Sequence, residues 1–521
     1  MLMVCLSLLA VMLAACANIP VIDSDRPDAT PNPGATDGPR ATGQIAPRTP
    51  TATATAAAMP TPTPQPTSSL GVEKAELQGA VIQFWHPWTG ETAERLQALV
   101  DEFNTANQWG IFVQTEAFAN LDNLHEAVQS ALADGETPNL VIASAHQALD
   151  WEGENRLANL DEYARDPLWG LAEDELADFY PVFLLKNPVD EHLLGLPALP
   201  SGQALYYNQS WAQELGFAAA PATPDDLREQ ACRAAQANNQ DDDPSNDKTG
   251  GMILATNYSS ILGWIHAFDG SLIGQNSSSS SSPYQFDTPQ VEQAFEFLRS
   301  LYDQGCAWLP ENPYPEADFA ARRGLFATGS ITGIPYQASL FEQVGSRDQW
   351  TVLPFPSPDD EPALPVYGPS YTILRSTPVQ QLAAWLLLTD LVSGENQARM
   401  VEAAGAFPAR SAALERLQEY NSSHPQWSTA VNNLLYTWPE PPYRSWRTVR
   451  WALSDAASQL FRSYFTIDQV PQLVKFLNDT AADLHKRAAL PPGAPPSNQA
   501  LTPVPTAGTP LTPTPSATAR P

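Results

Sequence analysis

The folded part of this chain predicts an α/β architecture built on parallel, helix-covered sheet. Three observations predict it. Short apolar runs alternate with amphipathic helical stretches from about residue 81. One run, "NLVIASA", is apolar almost throughout, as expected of a strand buried on both faces. The length of 521 residues is enough for two or three cores.

The elements follow in order. "AVIQFW" reads as a strand, and "ETAERLQALVDEFNTAN" as a helix whose Leu96, Leu99, Val100 and Phe103 form one apolar stripe. "GIFVQTEAF" is the next strand, and "NLDNLHEAVQSALADGETP" a helix ending at Gly135. After "NLVIASA", further strands are expected at "ALYYNQSW" and "RGLFATGSITGI", and helices at "PQVEQAFEFLRSLYDQG" and "PVQQLAAWLLLTDLVSGENQARMVEAAG". This amounts to at least two sheets.

Composition changes sharply outside that body. Residues 1–16, "MLMVCLSLLAVMLAAC", are almost wholly apolar but shorter than a spanning helix needs. The small residues before Cys16 resemble a bacterial lipoprotein signal peptide whose Cys16 carries the lipid. No Lys or Arg precedes the apolar stretch, which departs from that pattern, and an ordinary secretory signal is the alternative. Residues 17–74 are rich in Pro, Thr and Ala and are expected to form a disordered tether, reaching roughly 150 Å if extended. Residues 491–521 repeat the composition as a tail, leaving a body of 75–490.

The chain carries 27 Lys+Arg against 58 Asp+Glu, a net charge of −31, and no basic cluster, which argues against a nucleic-acid partner. Cys5 and Cys16 fall in the signal. Cys232 and Cys306 remain for an oxidising compartment, as a disulfide or as two buried thiols. "SSSSSS" at 277–282 reads as a surface loop. "QDDDPSNDKTGG" at 240–251 has oxygen ligands at calcium-like spacing around 241–247, but it lacks an EF-hand's glycine and closing glutamate, so a solvated acidic turn is expected. No metal or cofactor is expected.

Catalytic motifs are missing. His125-Glu126 opens like a zinc-protease helix, but Gln129 stands where the second histidine belongs. Ser330 is misplaced for a nucleophile elbow in Gly329–Gly333. There is no Walker loop, GxGxxG or CxxC. Binding is therefore favoured over catalysis.

The ordered set "VIQFWHPWTGETAERLQALVDEFN", "ALADGETPNLVIASAHQ", "GLPALPSGQALYYNQSWAQELGF", "FDTPQVEQAFEFLRSLYDQG", "ADFAARRGLFATGSITGIPY", "WTVLPFPSP" and "PPYRSWRTVRWALSDA" resembles the family 1 extracellular solute-binding proteins of ABC transporters, relatives of maltose- and glycerol-3-phosphate-binding proteins. The resemblance covers nearly all of 78–487. It implies a two-lobe periplasmic-binding-protein-like fold of type II with discontinuous, hinge-linked lobes, a sugar or related small solute in the cleft, permease subunits as partners, a monomeric state and a place at the cell surface or the periplasmic side of the membrane. Crossings at about 197–204, 351–357 and 400–406 would divide the body into 78–198 plus 357–402 and 203–350 plus 405–490. The resemblance also brings Cys232 and Cys306 together in the second lobe.

Matching segments implies the ligand-binding residues. Trp88 and Glu91 follow the first strand, where open α/β sheets present loops to ligands, with Trp85 packed inward. An indole suits the apolar face of a sugar ring, and carboxylates accept its hydroxyls. His146 and Gln147 end "NLVIASA", and Gln203 lies in the hinge. Asn257, Tyr258, Ser259, Trp264 and Asp269 are placed on the second lobe's wall. Ser330, Ile331 and Tyr336 lie on the cleft strand and its loop, Tyr367 and Ser370 in "VYGPSYTIL", and Trp446 in "YRSW". Arg410, in "FPARS", is the cation that a phosphate or carboxylate would require. A surface-anchored glycan-binding adhesin and a secreted hydrolase are the competing functions.

Overall fold

The computed structural model describes residues 67–274, 282–312 and 315–488. The signal peptide with Cys16, most of the tether, residues 277–281 of the serine run, and the tail lie outside the described residues. The ordered body begins earlier than expected. Ser68 Oγ and Ser69 N both donate to Asp166 Oδ2, at 2.9 and 2.8 Å, and Val72 is buried.

Two sheets organise the body. The first has six strands in the order β2-β1-β3-β12-β5-β4: β1 Val81–His86, β2 Phe112–Ala117, β3 Leu140–Ala143, β4 Leu185–Lys186, β5 Leu193–Pro197 and β12 Ser370–Ile373. Here β1 pairs parallel with β2 and β3, while β12 runs antiparallel to β3 and β5. The second sheet contains β6 Ser201–Asn208, β7 Gly250–Ile253, β8 Ala307–Trp308, β9 Gly324–Ser330, β10 Trp350–Leu353, β11 Leu364–Tyr367 and β13 Thr437–Pro439. Its order is β13-β11-β6-β9-β7-β8, with β10 also on β6.

Strand period explains how the second sheet buries both faces. Along β6, Ala204 and Tyr206 point into a core that runs from the first lobe through the hinge. Leu205 and Tyr207 point into a separate core with Trp264, Phe295 and Leu453. The helices form where the periodicity places them. Gly90–Ala106 buries Leu96, Leu99, Val100 and Phe103, and Leu121–Asp134 stops at Gly135 with φ +80°. The long stretch from 378 is two helices, Pro378–Leu391 and Gly394–Ala404, because Ser393 accepts from Asn396 N and starts a new one.

The chain crosses between the sheets at 198–200 and again at 368–369. Pro197 pairs with Ser370 on the first sheet, while Ser201 pairs with Tyr367 on the second. The second crossing therefore lies later than the expected 351–357, and β11 belongs to the second lobe. Gly368 stands where the crossings touch: a Cβ there would come within 2.6 Å of Pro200 Cα. The third crossing is spread out. Phe407 N donates to Pro200 O at the hinge, yet Arg410 returns to the first lobe before the helix Pro425–Asn432 seats on β10.

Cys232, on the helix Pro224–Gln240, and Cys306, just before β8, are joined by a disulfide within the second lobe. In the acidic turn, Asp241 Oδ1 accepts from Asp243 N, and Asp243 Oδ1 from Ser245 N. Among the described residues no group of three or more His, Cys, Asp or Glu is placed to hold a metal.

Candidate functional site

A cleft of about 860 Å³ opens between the two sheets at the hinge, within the size range of small-molecule sites. Six of the residues singled out in the sequence line it: Trp88, His146, Gln147, Tyr258, Tyr367 and Ser370.

The loop after β1 places Trp88. His86 is buried, and desolvation lowers its pKa to about 4, so its imidazole stays neutral and Nδ1 can accept the Trp88 N–H at 3.3 Å. The two rings stack at 5.8 Å, and Tyr371 meets the indole edge-on at 6.3 Å. Trp88 is thus a braced wall of the cleft. Trp85 turns away and packs on Phe118.

His146 opens the helix Ala145–Gly153. Burial first, and the Arg450 cation second, push its pKa down to about 3, so it presents a neutral ring beside the Ser144 hydroxyl. Gln147 lines the cleft but its amide is committed, accepting from Ser144 N and donating to Leu121 O. Tyr367 donates weakly to Gln203 Oε1 at 3.4 Å, and Gln203 Nε2 donates to Ser260 Oγ at 3.0 Å. Gln203 and Ser330 stand behind Tyr367, one row from the wall.

The second lobe supplies a cluster of which the sequence reading named Tyr258 and Trp446 but missed Arg450, Trp451 and Glu440. Arg450, on the helix Trp446–Leu460, lies 5.3 Å from the ring centroids of both Tyr258 and Trp451. Its Nη2 reaches Asp122 Oδ1 of the first lobe at 3.9 Å. Glu440 closes the group: desolvation raises its carboxyl to about 7, although Arg450 and the Trp446 indole favour its charge. Neither completes a hydrogen bond to Glu440 Oε1, and Arg450 Nε is likewise unpaired. Burial pushes Tyr258 up to about 12. The clue lay one helical turn beyond Trp446, since residues at i and i+4 share a face.

The remaining expected residues do not form the wall. Trp264 (1% exposed) packs between Phe297 and Phe355, Trp446 (1%) backs Tyr258, and Ile331 (0%) is core, because large apolar side chains gain most from full burial. Asn257 caps the helix Tyr258–Ala267 and accepts from Ser260 N and the Ser259 hydroxyl, which occupies both of those residues. Asp269, at φ +59°, and Glu91 are exposed away from the cleft, as is Tyr336 (58%). Arg410 is no cleft cation. It is 6% exposed, binds Asp178 at 2.7 Å, donates to Val392 O and covers the Phe179 ring at 4.6 Å.

Comparison with known proteins places this architecture. The model of the bacterial extracellular solute-binding protein family matches residues 98–433. The chain belongs to that family. Such a solute-binding protein holds a small solute between its lobes and does not transform it. No curated protein sequence matches the chain.

Solved structures share the fold. The sugar-binding protein MalE of Xanthomonas citri is 18% identical over 78% of this chain and 98% of its own, with a TM-score of 0.66. The cyclic α-maltosyl-1,6-maltose binding protein of Arthrobacter globiformis is 16% identical over 78% and 99%, with a TM-score of 0.65. UgpB of Mycobacterium tuberculosis, solved with glycerophosphocholine, is 16% identical over 78% and 98%, with a TM-score of 0.62.

Proposed function

We propose that this solute-binding protein serves an ABC importer, captures a neutral hydroxylated solute of the sugar class, and is held at the membrane by a lipid on Cys16. The charge balance at the polar end of the cleft carries the choice of solute. Asp122 and Glu440 face one guanidinium, Arg450, while His146 is neutral. With Glu440 near half-charged, that group sums to between zero and minus one. Lys186, the other cleft cation, sits 3.8 Å from Glu191. A phosphodiester would enter beside two carboxylates, and the guanidinium that lines the cleft, Arg450, already lies 3.9 Å from one of them. Hydroxyls, by contrast, both donate to Glu440 and accept from Arg450, and the braced Trp88 suits a sugar's apolar face. Among the similar structures, this favours the kind of solute named for the maltose-type proteins over glycerophosphocholine.

Calorimetry and thermal melting with maltose, maltotriose, trehalose and glycerophosphocholine test the reading. A neutral sugar should bind and raise Tm, because ligand stabilises only the form it binds. Tight binding of glycerophosphocholine alone would refute the charge argument, and chemical alteration of the solute would refute capture without turnover. For the anchor, mass spectrometry of the mature N-terminus should find a lipid-bearing Cys16; an unmodified terminus elsewhere excludes it.

A further inference from the structure

The cleft has two ends of unlike chemistry. At one end stand Glu440, Arg450, Tyr258 and His146. At the other, the consecutive residues Pro181, Val182, Phe183, Leu184 and Leu185 all line the cavity. The two ends adjoin, since the short helix Pro181–Phe183 packs beside β13 and Glu440 follows β13 directly. We propose that the solute is amphiphilic, with its hydroxylated head at Glu440 and Arg450 and a short aliphatic substituent lying along Pro181–Leu185. This rests on the sugar-class reading above and narrows it.

The wall offers a solute almost nothing but dispersion and burial. None of its five side chains can hydrogen-bond. Pro181 has no N–H, Phe183 N donates to Tyr180 O, and Leu184 N donates to Pro181 O, so those donors are used within the turn. Leu185 is paired with Gly195 across β4 and β5. Phe183 is itself buried and stacks on Phe407 at 6.3 Å, so the wall presents no open aromatic face for a sugar ring. Pro181, exposed, and Val182 and Leu184, both half-buried, are the side chains left to meet a ligand. The hinge residues Leu199 and Pro200 extend the same apolar lining. A sugar hydroxyl facing these side chains gives up water and gains no side-chain partner. A methylene placed there leaves water for apolar surface, which strengthens binding by about fourfold for each group fully buried.

The test is a homologous series. Methyl, butyl and hexyl glycosides of glucose and maltose, kept below their micelle concentrations, are titrated by calorimetry against the full chain and its Leu184→Asn variant. The expected result is an affinity that rises at least tenfold from methyl to hexyl. In Leu184→Asn the hexyl-to-methyl ratio should fall to about threefold or less. Val182→Ser provides a second variant if Leu184→Asn folds poorly. A flat series in a protein that binds the methyl glycosides overturns the amphiphilic solute and leaves the sugar reading intact. An undiminished rise in both folded variants also overturns it, since the wall would not be the cause. If no glycoside of any length binds, the sugar-class reading falls, and this inference with it.

Discussion

Arg444 Nε donates to Asp150 Oδ1 at 2.9 Å, and the two residues belong to different lobes. The contact is one of a row. Arg447 Nη1 lies 3.4 Å from His125 Nε2, and Arg450 Nη2 lies 3.9 Å from Asp122 Oδ1. Residues 444, 447 and 450 thus meet the first lobe's helices along one rim of the cleft. Half-exposed ion pairs contribute about 0.2–1 kcal/mol each. Arg444→Ala should therefore favour the open form, weaken solute binding about two- to fivefold and enlarge the unliganded protein in X-ray scattering. An unchanged radius and affinity would show that the row does not bias closure.

Arg410→Ala should act on stability alone. Removing it leaves Asp178 half-buried without its cation, and breaking such a pair costs about 3–5 kcal/mol. Urea denaturation should show that loss, while the affinity of the folded variant for its solute stays within twofold of the parent. A large affinity change at constant stability would return Arg410 to the cleft.

The tryptophans should separate in the same way. Trp264→Ala empties a core site and is expected to cost about 3–5 kcal/mol. Trp88→Ala removes a half-buried wall and should lower affinity tenfold or more with little change in the denaturation midpoint.

Solute binding should strengthen as pH rises. Burial raises the Glu440 carboxyl to about 7, above its ordinary 4.5. The unliganded fold therefore binds the extra proton, and its stability falls as pH rises through about 7. Solute hydroxyls donating to the carboxylate favour its charged form, so binding releases protons. Affinity should rise about three- to tenfold between pH 5.5 and 8.5, and Glu440→Gln should flatten the profile. A rise toward acid pH instead would mean that Glu440 acts as a protonated donor.

Reduction of Cys232–Cys306, which are 74 residues apart in sequence, should lower stability by about 4 kcal/mol on the chain-entropy model. Closure and affinity should survive, because both cysteines lie in one lobe. Scattering of the reduced protein with and without solute checks this.

Local pattern carried most of the fold and less of the site. Helix stripes such as Leu96 to Phe103, and the all-apolar "NLVIASA", are written within a few residues of themselves, so periodicity reads them. The hinge was harder. "WTVLPFPSP" looks like a strand leaving its sheet, whereas the crossing is marked by "YGPS", where Gly368 passes Pro200. Arg410 misled because its partner, Asp178, is 232 residues away, and no spacing discloses that contact. Trp446 and Trp264 misled for a related reason. An indole serves a core as well as a sugar, and only the packing around it tells which.

The paired crossings at 198–200 and 368–369 also govern how a visitor is received. They lie side by side, tied by Ala198 N donating to Pro369 O at 3.0 Å, and prolines at 200 and 369 fix two of their torsions. In these two crossings bending is left to a handful of bonds about one line, with the third passage at Phe407 beside them, so the lobes are hinged like the boards of a book on its spine. Trp88 and His146 travel together on one board; Tyr258, Glu440 and Arg450 travel together on the other. Each board carries a finished half-site, so the site is complete only where the two boards meet.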